Sequence, residues 1–173
     1  MLHILEKLQH CQIIHGDIKP DNFLVTQRPE LGPKASLQMI DFGVSIDMKL
    51  FHPGQSFKHK FDKVANRCPQ MIEDQPWNYH LDYYGVASVA HTLLHGSYMK
   101  LSKKGEDFVP NGSLKRWWNS QLWNEFFGKF LNIKDNQLPN VAEMRDKFEQ
   151  AFLSRHAKNF EDAASELNKL MCK

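Results

Sequence analysis

The chain has 173 residues, enough for one domain with a sizeable core. Its 22 basic and 20 acidic residues leave a net charge of +2, too balanced to argue for a nucleic-acid or membrane-surface partner. A hydrophobic content of 42% with 12% aromatics suits a soluble globular fold. No apolar run approaches the roughly 18 to 20 residues of a bilayer span, and the N-terminus does not read as a signal peptide. Cys11, Cys68 and Cys172 are scattered without metal-ligand spacing and read as free thiols of a reducing compartment. The nine histidines show no paired i, i+4 spacing with acids that suggests zinc, and most are expected at the surface, with His15 the exception.

Leu2, Ile4, Leu5, Leu8 and Cys11 recur at helical spacing and predict an amphipathic helix over 1–12. Ile13-Ile14 is an apolar entry to a polar loop, His15-Gly16-Asp17-Ile18-Lys19-Pro20-Asp21-Asn22. Phe23-Leu24-Val25 reads as a short strand leaving that loop. Residues 26–36, with two prolines and a glycine, read as the connection to a second short strand, Leu37 to Ile40. This strand delivers Asp41-Phe42-Gly43. Periodicity then fades until Pro69, the pattern of a long segment lying over a site.

Leu81 to His95 is apolar nearly all round, as a buried helix is, and Gly96 is a natural stop. Residues 100–119 read as irregular. Leu122 to Leu131 predicts an aromatic-rich helix, and Trp117 and Trp118 are expected to pack in the core or a groove, since no basic stripe accompanies them. Asn140-Val141-Ala142-Glu143 resembles a capping box opening a helix to about Leu153. A separate last helix carries Phe160, Ala163, Ala164, Leu167 and Leu170. The expected class is mainly α with a few short β-strands.

The polar loop and the Asp41 turn carry the chemistry. Two acids, a lysine and an asparagine at these spacings suit the transfer of a phosphoryl group from ATP to a hydroxyl. Asp17 is placed to accept the hydroxyl proton, and Lys19, two positions on, to steady charge on the phosphate. Asn22 and Asp41 offer oxygens to Mg2+, a hard cation. Enzymes that phosphorylate small molecules share His-Gly-Asp, but usually without the lysine and without Phe-Gly after the metal-binding acid. Lys19-Pro20 and Phe42-Gly43 therefore favour a protein substrate.

These motifs, in this order, resemble the C-terminal (large) lobe of the eukaryotic protein kinase fold. The finer resemblance is to the Bub-type mitotic checkpoint serine/threonine kinases. It rests on Ile14 to Phe23, Ser45-Ile46-Asp47-Met48-Lys49-Leu50-Phe51, Pro76-Trp77-Asn78-Tyr79, Asp82-Tyr83-Tyr84-Gly85-Val86-Ala87, Leu122-Trp123-Asn124-Glu125-Phe126-Phe127 and Leu131-Asn132-Ile133. The resemblance implies a large lobe over 1–155 and a helical extension over 156–173. It implies Asp17 as catalytic base, Lys19 as phosphate contact, and Asn22 and Asp41 as magnesium ligands. His15, Phe42 and Gly43 would support the site, and Asp82 would hold the catalytic-loop amides. An acid in the first turn of a helix also fits an ordinary interaction with the dipole.

The resemblance further implies ATP and Mg2+ as cofactors and a protein substrate, a histone tail among the candidates. It implies kinetochore checkpoint proteins as partners, with no direct nucleic acid and no membrane. The setting would be the nucleus and the kinetochore of mitotic chromosomes, and otherwise the cytoplasm. No glycine-rich loop, strand lysine or helix glutamate is found, so the small lobe is expected to be missing from this chain. The fragment alone is then expected to be inactive.

Three departures from the general kinase pattern stand out. Gly16 occupies the position of an arginine that pairs with a phosphorylated loop, which implies activity without loop phosphorylation. Gln70 replaces a glutamate, and Arg145 is the expected partner for it. Lys63 replaces a threonine that touches the catalytic pair. The favoured reading is an active serine/threonine kinase. The alternative is a weak or inactive, pseudokinase-like checkpoint scaffold.

Overall fold

The computed structural model describes residues 1–27, 35–58, 67–134 and 137–171, with side chains beyond Phe152 described at Asp162, Ser165, Glu166 and Lys169. Lys63 and Cys172 lie outside the described residues, as do the side chains of Phe160, Ala163, Ala164, Leu167 and Leu170.

Helix α3 (His80–His95) is the centre of the molecule. Every residue from His80 to His91 is buried, which the all-round apolar pattern dictates. Gly96 ends the helix in the left-handed region at φ +67°, and its N–H caps the Thr92 carbonyl at 2.8 Å. Helix α1 (Leu2–His10) packs Leu5 and Leu8 inward, and helix α4 (Ser120–Leu131) packs Leu122, Phe126, Phe127, Phe130 and Leu131. Phe126 and Phe130 lie 4.4 Å apart between ring centroids, and Phe130 meets Tyr83 edge-on at 4.8 Å. Burial of each such ring contributes about 2–3 kcal/mol.

Among the described residues the strands are short and pair as three antiparallel two-stranded sheets. β1 (Ile13–Ile14) pairs with β4 (Ile46–Asp47), and β2 (Phe23–Gln27) pairs with β3 (Ala35–Met39) in the register Phe23↔Met39. Within 41–58 the segment over the site is partly ordered: β4 leads into a 3-10 turn at Met48–Leu50, and Phe57 bridges to Trp77. The short helix α2 (Pro69–Ile72) follows.

Several expectations change. Residues 100–119 contain a hairpin, β5 (Leu101–Lys104) and β6 (Asp107–Pro110), turned at Gly105 with φ +66°. Its single buried residue, Phe108, gives too weak an alternation to read as strand. The side-chain amide of Asn132 pins it by accepting from the Phe108 N–H at 2.7 Å and donating to its carbonyl at 3.0 Å. The two C-terminal helices are one, α5 (Val141–Met171), which runs through the expected boundary at 155 without a break. Asn140 caps it by accepting from the Glu143 N–H at 3.0 Å. Cys11 is exposed just past the end of α1, because the helix stops at His10 before Cys11 can turn inward. His80 and His91 are buried as well as His15: His91 has a backbone partner for each ring nitrogen, and His80 Nδ1 accepts the Asn78 N–H.

Arg145 does not reach Gln70. Its guanidinium pairs with Glu6, Asp146 and Glu149, joining α5 to α1, while the Gln70 amide donates to the Ile133 carbonyl at 3.0 Å. Gln70 therefore ties α2 to the end of α4 through a neutral bond. Cys68, next to it, is fully buried, and burial pushes its thiol up to about 11.

His80 makes the fold acid-sensitive. Its ring accepts the Asn78 N–H at 3.2 Å, and burial pushes its pKa down to about 4. A base depressed in the folded state stabilises fully above its unfolded pKa of about 6.5 and loses that stability as pH falls toward the folded value. Urea unfolding should show wild type losing about 3 kcal/mol more than His80→Asn between pH 7 and pH 4. Parallel pH curves for the two proteins would contradict this.

Candidate active site

The polar loop is built between β1 and a 3-10 turn at Pro20–Asn22, where proline stands at the first helical position. Asp82, fully buried near the start of α3, braces it from below. One carboxylate oxygen accepts the His15 N–H at 2.7 Å and the other the Gly16 N–H at 2.9 Å. Burial pushes the Asp82 carboxyl up to about 7, while the Gly16 and His15 amides pull it down. Two short bonds from oriented amides are what keep a buried carboxylate tenable.

Gly16 has a backbone reason as well as an electrostatic one. Its φ is +84°, and a Cβ there would sit 3.1 Å from the Val44 carbonyl oxygen. Glycine takes this conformation without the penalty other residues carry. Gly85 is a second glycine that spacing arguments missed as a site determinant. A Cβ on it would fall 2.6 Å from the Ile18 Cβ and 2.9 Å from the Ile18 carbonyl oxygen, so the loop rests directly on the bare backbone of α3. A glycine amid an otherwise apolar helix is the signal in the sequence for such a close approach.

His15 is enclosed. Its Nδ1 accepts the Asp17 N–H at 3.3 Å, which leaves Nε2–H to donate to the Ile40 carbonyl at 3.0 Å. Phe42 meets the His15 ring edge-on at 4.8 Å. The Ser45 hydroxyl donates to the His15 carbonyl at 3.1 Å, so loop and Asp-Phe-Gly turn are tied at three points.

The Asp17 carboxylate is the meeting point of the loop. Lys19 Nζ donates to its Oδ2 at 2.5 Å, and the Asn22 amide donates to the same oxygen at 3.1 Å and to the Asp17 carbonyl at 2.8 Å. The bond to Asp17 is the largest influence holding the Lys19 ammonium above its ordinary pKa. Asn22 spends its NH2 group on Asp17, which turns its amide oxygen to the other side. The Asn22 carbonyl accepts the Ile40 N–H at 3.0 Å, so the β2–β3 pairing sets Asn22 beside the strand that ends at Asp41. Asp41 is exposed and holds φ +64°, an uncommon left-handed value for a residue with a side chain. Strain of this kind persists where surrounding structure imposes it, here the strand before Asp41 and the Phe42–His15 contact after it. Leu24, Val25, Leu37 and Phe42 expose 40–48% of their surface around this end of the hairpin.

Helical lobe, buried brace, polar loop and Asp-Phe-Gly turn together make a kinase-type large lobe. The chain belongs to the protein kinase family, whose domain profile matches residues 1–171. Within it the similarity is to checkpoint kinases. The chain is 41% identical over 155 residues to the mitotic checkpoint serine/threonine-protein kinase BUB1 of Mus musculus, covering 87% of this chain and 15% of that protein. It is 32% identical over 171 residues to the spindle assembly checkpoint serine/threonine-protein kinase BUB1 of Saccharomyces cerevisiae, covering 86% of this chain and 17% of that protein. A crystal structure of the BubR1 kinase domain superposes with a TM-score of 0.88 at 38% identity, over 98% of this chain and 52% of the other. The chain therefore spans about half of that kinase-domain structure and a smaller part of the full-length relatives.

Two substitutions test the brace. Asp82→Asn keeps one acceptor but turns an NH2 group toward the other loop amide, and should cost about 1–3 kcal/mol in chemical denaturation. Gly85→Ala forces the Ile18 backbone outward and should cost about 1–3 kcal/mol, with the amide signals of 15–19 shifting most in NMR. Wild-type stability in either variant would show that the loop does not rest on α3.

Proposed function

We propose that this chain is the catalytic large lobe of a checkpoint-type protein serine/threonine kinase, working with a small lobe carried elsewhere in the whole protein. The observation that supports this most is the convergence of Lys19 and Asn22 on the Asp17 carboxylate, one hairpin strand away from Asp41.

Asp17 accepts the proton of the attacking serine or threonine hydroxyl as the oxygen becomes nucleophilic. The Asn22 amide holds the Asp17 carboxylate in one orientation for that transfer. Lys19, held at the Asp17 carboxylate, would offset the charge of the phosphate oxygens with its own. Asn22 Oδ1 and the Asp41 carboxylate are hard oxygen donors, the chemistry that suits magnesium, and are the residues that would hold it. When bound, magnesium-ATP supplies the phosphoryl group and neutralises its charge. His15, Phe42, Gly43 and Asp82 act by holding the loop and the turn in register. Because that register is set before substrate arrives, little reorganisation is needed in the reaction.

In this reading the substrate is a protein hydroxyl, a histone tail being one candidate, and the partners are kinetochore checkpoint proteins. The working place is the nucleus and the kinetochore of mitotic chromosomes. The large lobe ends near residue 155 and the rest of α5 is an extension. Support for the setting comes from the BUB1 and BubR1 similarities.

The test is a magnesium-ATP phosphorylation assay on the whole protein. Asp17→Asn should lower kcat by about 10²–10⁴-fold with thermal stability retained. Equal activity in the two proteins, or none in either, would reject the catalytic reading in favour of a scaffold.

A further inference from the structure

Trp117 and Trp118 play no part in the proposed catalytic site. Trp118 is half-buried and meets the His95 ring edge-on at 5.4 Å, while Trp117 leaves 73% of its surface exposed. The loop carrying them is held over the end of α3, where Gly112 lies so close to His95 that a Cβ would come within 3.0 Å of its ring. Between this loop, α4 and α5 lies a cavity of about 560 Å³, lined by Leu94, Arg116, Trp117, Trp118, Trp123 and Phe152 among others. That volume is in the range of ligand clefts. Leu94 stands twelve residues along α3 from Asp82, about 18 Å at 1.5 Å per residue, so the cleft is remote from the catalytic loop.

The charge on the loop that forms one wall of the cleft has one sign. Arg116 lines it, and Lys115 Nζ stands 5.1 Å from the Trp118 ring centroid and 5.7 Å from that of Trp117. From Phe108 to Asn124 the chain holds no acidic residue. Neither Lys115 nor Arg116 makes an ion pair among the described residues, whereas Glu125 on α4 is engaged by Lys129 and Lys147. A tryptophan-lined floor with unneutralised cations at its edge combines the two residue types that most often anchor protein interfaces.

We propose that this cleft docks a short peptide segment of a partner protein in which a bulky apolar side chain is flanked by acidic residues. The apolar side chain enters between Trp117, Trp123 and Phe152. The acidic flanks meet Arg116 and Lys115, the latter already desolvated on one side by the indole faces. The segment would hold its partner on the lobe independently of the phosphoryl-transfer site.

The probes are three pools of fluorescein-labelled nonapeptides with a central leucine, phenylalanine or tryptophan and flanks fixed as acidic, neutral or basic. Binding to the 173-residue chain is read by fluorescence anisotropy. The acidic pool should bind with a Kd on the order of 10–100 μM. Trp117→Ser should weaken it roughly tenfold. Lys115→Glu with Arg116→Glu should weaken it at least about fivefold and turn the preference toward basic flanks. All variants should keep the wild-type circular dichroism melt, Trp117 being exposed. Equal binding of all three pools, no binding at millimolar protein, or indifference to the variants would overturn the proposal. So would concentration-dependent dimerisation abolished by Trp117→Ser, which assigns the cleft to a second copy. Tighter binding of a single-stranded oligonucleotide would assign it to nucleic acid and overturn the proposal as well.

Discussion

The bond pair from the His15 and Gly16 amides to the Asp82 carboxylate sets the terms for the rest of the lobe. A carboxylate in so dry a place is tenable only if its lone pairs are met, and the loop amides meet them. The loop in turn has no regular strand or helix at His15–Lys19 to hold it, so its shape depends on what receives its N–H groups. Each solves the other's problem. Burial works against the charge, raising the carboxyl to about 7, so the brace is maintained at a cost in stability as pH rises through that value.

Everything above the brace inherits its position. With His15 fixed, its ring directs Nε2–H to Ile40 and presents its edge to Phe42, which sets the turn that carries Asp41. With the chain direction fixed at Gly16, the 3-10 turn Pro20–Asn22 carries Asn22 back to Asp17, five residues earlier and close enough to bond. The β2–β3 pairing closes the circuit from the other side. The site is thus a ring of short-range constraints resting on one helix, and no single surface charge pair contributes much to it.

Much of this was legible in the sequence because the dominant signals are local. Leu81 to Ala90 is apolar nearly all round, and a segment like that has no stable place except the core, whereas Leu93, read as part of the same buried run, leaves 72% of its surface exposed. The loop and the Asp41 turn carry residue types whose chemistry needs those spacings. What escaped the sequence was set by partners distant along the chain. Arg145 had an acidic partner in Glu6, 139 residues away, that no spacing rule could prefer over Gln70. Phe108 is the one fully buried residue of its hairpin, with Leu101 only partly covered, so the β signal fell below that of an irregular stretch. His80 and His91 are buried because backbone groups from neighbouring turns satisfy them, which composition does not reveal. Gly85 was visible as a residue, but its meaning lies in the 2.6 Å that separates its missing Cβ from Ile18.

A helix wrapped on every side, as α3 is from His80 to His91, has no wet face on which change is neutral. On an ordinary amphipathic helix roughly half the positions can drift freely, because solvent accepts most side chains. Here each position answers to a neighbour: Asp82 to the loop, Gly85 to Ile18, Tyr83 to Gln9 and Pro139, His91 to Ser97 and Asn111. In a saturation library this dozen-residue stretch would be the place where survivors are fewest, and the pattern of tolerated letters would trace the outline of the lobe around it.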